Sequence, residues 1–175
     1  RYRARLADFS GGLAVFAALC LRRRRVLMSC LREISWSMLL LVAGLFVLVE
    51  ALQQSGVVAL LSRALHNWIV QTPDRAAWYA AGAATLAGNL ANNLPVGLLT
   101  GAVVGVAQPP QPVTSALLVA VDLGPNWSVT GSLATMLWLA ALRREKVSVS
   151  ALDFLKVGTV VTLPTLIATL WSLLR

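Results

Sequence analysis

From residue 35 onward, long uncharged apolar runs alternate with short polar punctuation, and the length of each run predicts its element. Residues 35–53, SWSMLLLVAGLFVLVEALQ, open on Trp36 and carry a single acid near the far end. About 20 apolar residues cross a hydrocarbon core, so this run predicts a transmembrane helix with an interfacial tryptophan. Glu50 lies within reach of interfacial water and reads as structural. Residues 57–70, VVALLSRALHNWIV, follow a different pattern. At helical period Val57, Leu61, Ala64, Leu65 and Trp68 share one face and Ser62, Arg63, His66 and Asn67 fall opposite, which predicts an amphipathic helix at the interface or along a bundle. His66, the only histidine, belongs to the polar face and reads as solvated.

Residues 76–107 contain no charge. As one helix they would extend about 48 Å against a core of about 30 Å, and two full spans with a turn need more than about 40 residues. Two short helices meeting at a tip inside the membrane fit the length. The tip is GNLANNLP, residues 88–95, with three asparagines and a proline in an oily run. The segment therefore predicts a re-entrant hairpin over 76–107. Residues 113–142 pose the same problem, with DLGPNWS at 122–128 in the middle. Proline lacks an N–H and clashes with the preceding turn, and glycine lowers the cost of irregular backbone. This run predicts a crossing helix broken in its centre. Residues 151–174 predict a last span, in which Pro164 produces at most a kink. Residues 9–21 are apolar but short, a partial span. The pattern as a whole predicts an all-α polytopic membrane protein: transmembrane helices, a re-entrant hairpin and a broken helix.

Composition sharpens that reading. Only 13% of the 175 residues are charged and 58% are apolar, where water-soluble domains are about a quarter charged. The net charge of +8 is concentrated in Arg22–Arg25 with Arg32, and in Arg143, Arg144 and Lys146, each beside an apolar run. That is the positive-inside pattern, which puts both clusters in the cytoplasm and the C-terminus outside. It does not form the basic stripe of a nucleic-acid-binding surface, so nucleic acid is not an expected partner. The chain opens on Arg1, and its heaviest basic block follows the first apolar run where a secretory signal would have it precede. The expectation is the C-terminal portion of a longer membrane protein. Cys20 and Cys30 have no CxxC spacing and no clustered histidines, so no metal, redox cofactor or enzymatic centre is expected.

Irregular backbone at membrane depth persists only where protein buries it or a cavity solvates it, and two such breaks are the sequence pointer to a transporter site near the bilayer midplane. Half-helix ends offer unpaired N–H and C=O groups with their dipoles. Asn92 and Asn93 add amides at the hairpin tip, and Pro95 suits the first turn of the returning helix. Asn126, Ser128 and Thr130 are placed to cap the second half of the broken helix. Asp122 is the only acid deep in an apolar run. Hydrocarbon favours the neutral form of a carboxyl, which suits a proton carrier; the competing role is a backbone cap. Thr159, Thr162 and Thr165 are expected to bond to their own helix. Gly82, Gly97, Gly101 and Gly105 are expected to permit close helix packing, and Trp127, Trp138 and Trp171 to pack or sit at an interface.

NNLP at 92–95 with its glycine- and alanine-rich helix, VDLGPNWSVTGSLATMLWLAALRRE at 121–145, and TLPTL at 162–166 together resemble the arsenite efflux permease family (ArsB) of the ion transporter superfamily. The resemblance runs from about residue 35 and is densest at 118–145. It implies one half of an inverted-repeat carrier, a multi-pass protein of the inner (plasma) membrane that exports arsenite or antimonite. The energy would come from proton antiport or from a soluble arsenite-stimulated ATPase partner, and the N-terminal half of the carrier and the lipid bilayer would be the other partners. Its site would draw on Asn92, Asn93, Asp122, Gly124, Asn126, Thr130 and Ser132, with Pro95 at the tip. Arsenite at neutral pH is mostly an uncharged trihydroxide, which amides, hydroxyls and helix ends can bind without a fixed charge; neither cysteine lies at a break. Sodium-coupled dicarboxylate carriers of the superfamily show Ser-Asn-Thr at both breaks. Asn92-Asn93-Leu94 and Asn126-Trp127-Ser128 stand there instead, which counts against that substrate class. A sodium/proton antiporter or another anion carrier of the same superfamily remains an alternative, as does a membrane assembly subunit that transports nothing.

Overall fold

In the computed structural model, which describes residues 36–175, helix α1 (Trp36–Gln54) ends two residues before Gly56, whose φ of 85° lies in the left-handed region that a residue without Cβ enters freely. The chain turns there into α2 (Val57–Gln71), and segments Leu39–Gln54 and Val57–Gln71 are bent by 68°. Helix α3 (Pro73–Ala91) starts on a proline, whose missing N–H would have no intrahelical partner, with Asp74 in the first turn beside the positive end of the helix. Helix α4 (Asn93–Ala107) stops at Gln108, φ 44°, followed by two prolines that cannot continue it. Helix α5 (Gln111–Leu123) runs into a 3-10 turn at Gly124–Trp127. Helix α6 (Leu133–Arg144) has Arg143 and Arg144 in its last turn, where cations meet the negative end of the helix dipole. Helix α7 (Ala151–Leu173) is capped by Ser150, whose Oγ accepts from the Asp153 N–H at 3.0 Å. The short run at 9–21, the Arg22–Arg25 block with Arg32, and Cys20 and Cys30 lie outside the described residues.

The core is built from small side chains. Ala76, Ala77, Ala80, Ala81 and Ala84 of α3 are buried with Ala116, Leu117 and Ala120 of α5, and Leu166 and Leu170 of α7 join the same cluster. Alanine on facing helices lets the backbones approach closely, the way helices associate where apolar solvent offers no hydrophobic drive. Many large apolar side chains point outward: Val160 is 74% exposed, and Val157, Ile167 and Trp171 of the same helix are more than half exposed. A water-soluble monomer rarely shows so extended an apolar exterior. Among the described residues, α7 alone is long and apolar enough to cross a membrane; a second span exists if the bent α1–α2 pair is one crossing. Helix α4 is apolar but shorter.

Two sequence expectations change in detail. Ser62, assigned to the polar face of α2, is buried with its Oγ donating to the Val103 carbonyl of α4 at 3.5 Å, while Arg63, His66 and Asn67 stay exposed. The close-packing glycines also differ. A Cβ at Gly82, Gly101 or Gly105 would meet nothing within 4 Å, and only Gly97 has a near neighbour, Val121 Cγ1 at 3.2 Å. The tight positions are Gly88, Gly124, Gly131 and Gly158, all where an irregular turn lies against a helix. At Gly158 a Cβ would overlap the Trp127 carbonyl oxygen, and one residue on, Thr159 Oγ1 accepts from the Trp127 indole N–H at 2.8 Å while donating to Leu155 O. Gly158→Ala is therefore expected to displace the 3-10 turn from α7 and cost roughly 1–3 kcal/mol, the usual range for forced overpacking. A lowered unfolding temperature of the purified protein in detergent is the measurement; an unchanged one would show that the turn moves freely.

Candidate functional site

Both irregular segments lie together. At the end of α3 the backbone leaves the helix at Asn92 (φ 76°, ψ 149°), a positive-φ conformation outside the left-handed helical well that any residue with a Cβ adopts only at a cost. Its carboxamide is engaged on both atoms: Oδ1 accepts from the Leu94 N–H at 3.2 Å, capping α4, and Nδ2 donates to the Thr130 carbonyl at 3.3 Å. Pro95, buried in the first turn of α4, removes an N–H that would otherwise need a partner outside the helix. The Asn93 N–H donates to Gly131 O at 2.8 Å. The Asn93 side chain is free by contrast: its Oδ1 is buried with no hydrogen-bond partner among the described residues.

The second segment leaves α5 through Gly124 and Pro125, both buried. A Cβ on Gly124 would sit 2.7 Å from Thr85 Oγ1, and one on Gly131 would overlap the Pro125 carbonyl oxygen and come within 2.8 Å of Asn89 Oδ1. These glycines set how deeply the turn can settle on α3. Asn126 is exposed and donates to the carbonyls of Asp122 (3.4 Å) and Leu123 (3.2 Å). Ser128 and Thr130 Oγ atoms lie 3.2 Å apart and both donate to Asn89 O, at 3.4 and 2.8 Å. The expectation that Asn126, Ser128 and Thr130 cap the second half of the broken helix is corrected here. Helix α6 restarts only at Leu133, with Ser132 in the capping position and no side-chain cap bond, so the earlier residues turn back to α5 and α3. Ser132 is buried.

Asp122 sits in the last turn of α5 and is exposed. Among the described residues its carboxylate forms no hydrogen bond or ion pair; only its backbone carbonyl is used, by Asn126. It does not cap backbone N–H groups in this structure. It is also the one charged residue between Ala76 and Leu142. The two segments therefore meet in a surface of amides, hydroxyls and backbone groups, with one carboxylate at the margin. No cluster of three or more metal-ligating side chains occurs among the described residues.

One residue of this junction went unassigned in the sequence. Asn89 lies in the GNLANNLP stretch, three positions before Asn92, and that helical spacing puts it on the same side of α3. Its Nδ2 donates to Thr85 O and Gly124 O, both at 2.8 Å, and its Oδ1 accepts from the Ser128 N–H at 2.9 Å.

Against known proteins, residues 5–123 match the family model described as CitMHS, citrate transporter. The chain is 30% identical over 151 residues to the arsenical pump membrane protein of Escherichia coli (strain K12), an alignment covering 82% of this chain and 34% of the relative. It is 29% identical over 148 residues to the arsenical pump membrane protein of Yersinia enterocolitica, with the same 82% and 34% coverage. An uncharacterized transporter of Mycobacterium tuberculosis (strain ATCC 25618 / H37Rv) is 31% identical over 139 residues, 75% of this chain and 32% of that protein. The chain thus spans about a third of the length of the curated relatives it matches. No solved structure matches it.

Proposed function

This chain belongs to the citrate transporter (CitMHS) family, a family of transporters rather than enzymes, and from that premise we propose that it forms part of a multi-pass inner-membrane carrier exporting arsenite or antimonite. Helices α3 and α4 form the re-entrant hairpin of that carrier, and α5 and α6 are the halves of its broken helix. The solute binds where the two interruptions meet. The observation that carries this reading is the chemistry of the junction: amides, hydroxyls and backbone dipoles, with no cation between Ala76 and Leu142. An uncharged trihydroxide finds donors and acceptors there without a counter-charge. A tricarboxylate would bring several negative charges to a site that offers no lysine or arginine to neutralise them. The names of the relatives about 30% identical to this chain point the same way.

In this reading Asn93 supplies the free carboxamide, Thr130, Ser132 and Asn126 supply polar groups around it, and Asn92, Pro95 and Gly124 shape the backbone that presents them. Asp122 carries the coupled proton; an ATPase partner is the other energy source the family resemblance implies. The family description supports a second reading, a carboxylate carrier. One experiment separates them. Expression of the complete gene in cells lacking their own arsenite pump should restore growth on arsenite and antimonite and produce no citrate uptake. Citrate accumulation without metalloid resistance would reverse the assignment.

A further inference from the structure

We infer that Asn89 is a positioning residue that locks the two interruptions into one rigid unit, so that the free carboxamide of Asn93 and the hydroxyl-bearing turn stay in register for the solute. The inference rests on the carrier reading only in its transport arm. Asn89 is 9% exposed and sits in the last turn of α3, where main-chain carbonyls have no intrahelical partner. Both N–H bonds of its carboxamide are used, one back to its own helix at Thr85 O and one across to Gly124 O, at the point where α5 gives way to the 3-10 turn. Its Oδ1 receives the N–H of Ser128, the residue at the other end of that turn. Its main-chain oxygen receives the hydroxyls of Thr130 and Ser128. One side chain therefore grips both ends of the 3-10 turn. Only an uncharged carboxamide does this: a carboxylate accepts but cannot donate to two carbonyls, and an aliphatic side chain does neither.

The packing around it leaves no slack. A Cβ on Gly131 would reach Asn89 Oδ1 at 2.8 Å, and one on Gly88, the preceding residue, would reach Pro125 Cγ at 3.1 Å. The alanine core between α3 and α5 lies on other residues, so losing Asn89 removes the lock and leaves the helices docked. The ties that survive are the Asn89 main-chain oxygen to the Ser128 and Thr130 hydroxyls, the Trp127 indole to Thr159, Asn93 N–H to Gly131 O and Asn92 Nδ2 to Thr130 O, none of which holds Gly124 O or the Ser128 N–H. Gly124 O and the Ser128 N–H would then lose their side-chain partner, and the turn would open against α3 more often.

The test uses the complete carrier in native membranes, with its cysteines replaced and a reporter thiol introduced as Val129→Cys, a half-buried position outside the proposed site. Asn89→Ala should raise the rate of maleimide reaction at the reporter roughly fivefold through local opening. It should raise the apparent KM for antimonite about tenfold, as misplacement of a binding group does, with the amount of carrier in the membrane unchanged. Thr130→Val, an isosteric change that deletes one hydroxyl of the same lock, should raise the thiol rate by less and provides the readout if Asn89→Ala does not reach the membrane. An unchanged thiol rate in both variants overturns the lock. Reduced abundance with an unchanged KM in the surviving carrier also overturns it, because Asn89 would then serve folding alone. A raised thiol rate in Asn89→Ala where the unsubstituted carrier itself transports no antimonite supports the lock and sinks the substrate assignment instead.

Discussion

Asn93→Leu is expected to weaken metalloid transport by about one to two orders of magnitude in a carrier that is as stable as before or more stable. The two halves of that outcome come from one atom. Asn93 Oδ1 is buried without a hydrogen-bond partner among the described residues, and an unpaired buried acceptor costs about 1–3 kcal/mol. Leucine, of similar size, deletes the acceptor and leaves the Asn93 main-chain bond to Gly131 in place. If that oxygen awaits a hydroxyl of the solute, its loss weakens binding by about one to two orders of magnitude. Asn92→Leu gives the contrary signature. Its backbone at φ 76° already strains a residue with a Cβ, a cost leucine does not relieve, and removing the cap on α4 costs about 1 kcal/mol. That variant should lose protein from the membrane, with Asn92→Gly recovering part of it. Immunoblots of membranes, thermal unfolding in detergent and antimonite efflux measure all three. Normal efflux in Asn93→Leu would remove this side chain from the site.

The contrast between two adjacent asparagines also shows where the sequence stops being legible. The helical runs, and the places where their backbone leaves the helix, can be read from Pro95, Pro125, Gly124 and the asparagines, because these act locally through missing donors, missing Cβ atoms and side chains that mimic backbone. Which asparagine serves the fold and which stays free cannot be read that way. Asn92 is occupied because Thr130, 38 positions away, offers its carbonyl, and Asn126 turns back to α5 because α6 restarts late. The glycines make the same point. Gly97, Gly101 and Gly105 have the spacing of a packing stripe, yet the closest contacts fall at Gly124 and Gly158, whose neighbours come from distant segments, and at Gly131, which meets Pro125 of its own turn and Asn89 of α3. Asn89 carried a local signal, its place in the polar stretch, but no signal of what it holds.

Asp122→Asn is expected to leave the fold intact and stop transport driven by a pH gradient. Structurally the change is mild. The carboxylate makes no hydrogen bond or ion pair among the described residues, and the Asp122 carbonyl that accepts from Asn126 is unaffected. An acid in the last turn of α5 faces the negative end of the helix dipole, a placement that costs roughly 0.3–1 kcal/mol, so asparagine should be neutral or slightly stabilising. Under the proposed function, an acid set against its helix dipole in a stretch with no other charge is the candidate for the coupled proton. If Asp122 carries that proton, the neutral isostere removes the step completely. Everted membrane vesicles should then show no antimonite accumulation on acidifying the lumen, while exchange of labelled for unlabelled antimonite, which moves no net proton, survives in part. Gradient-driven accumulation at the unsubstituted level would take Asp122 out of the coupling step and leave the ATPase partner as the energy source to test.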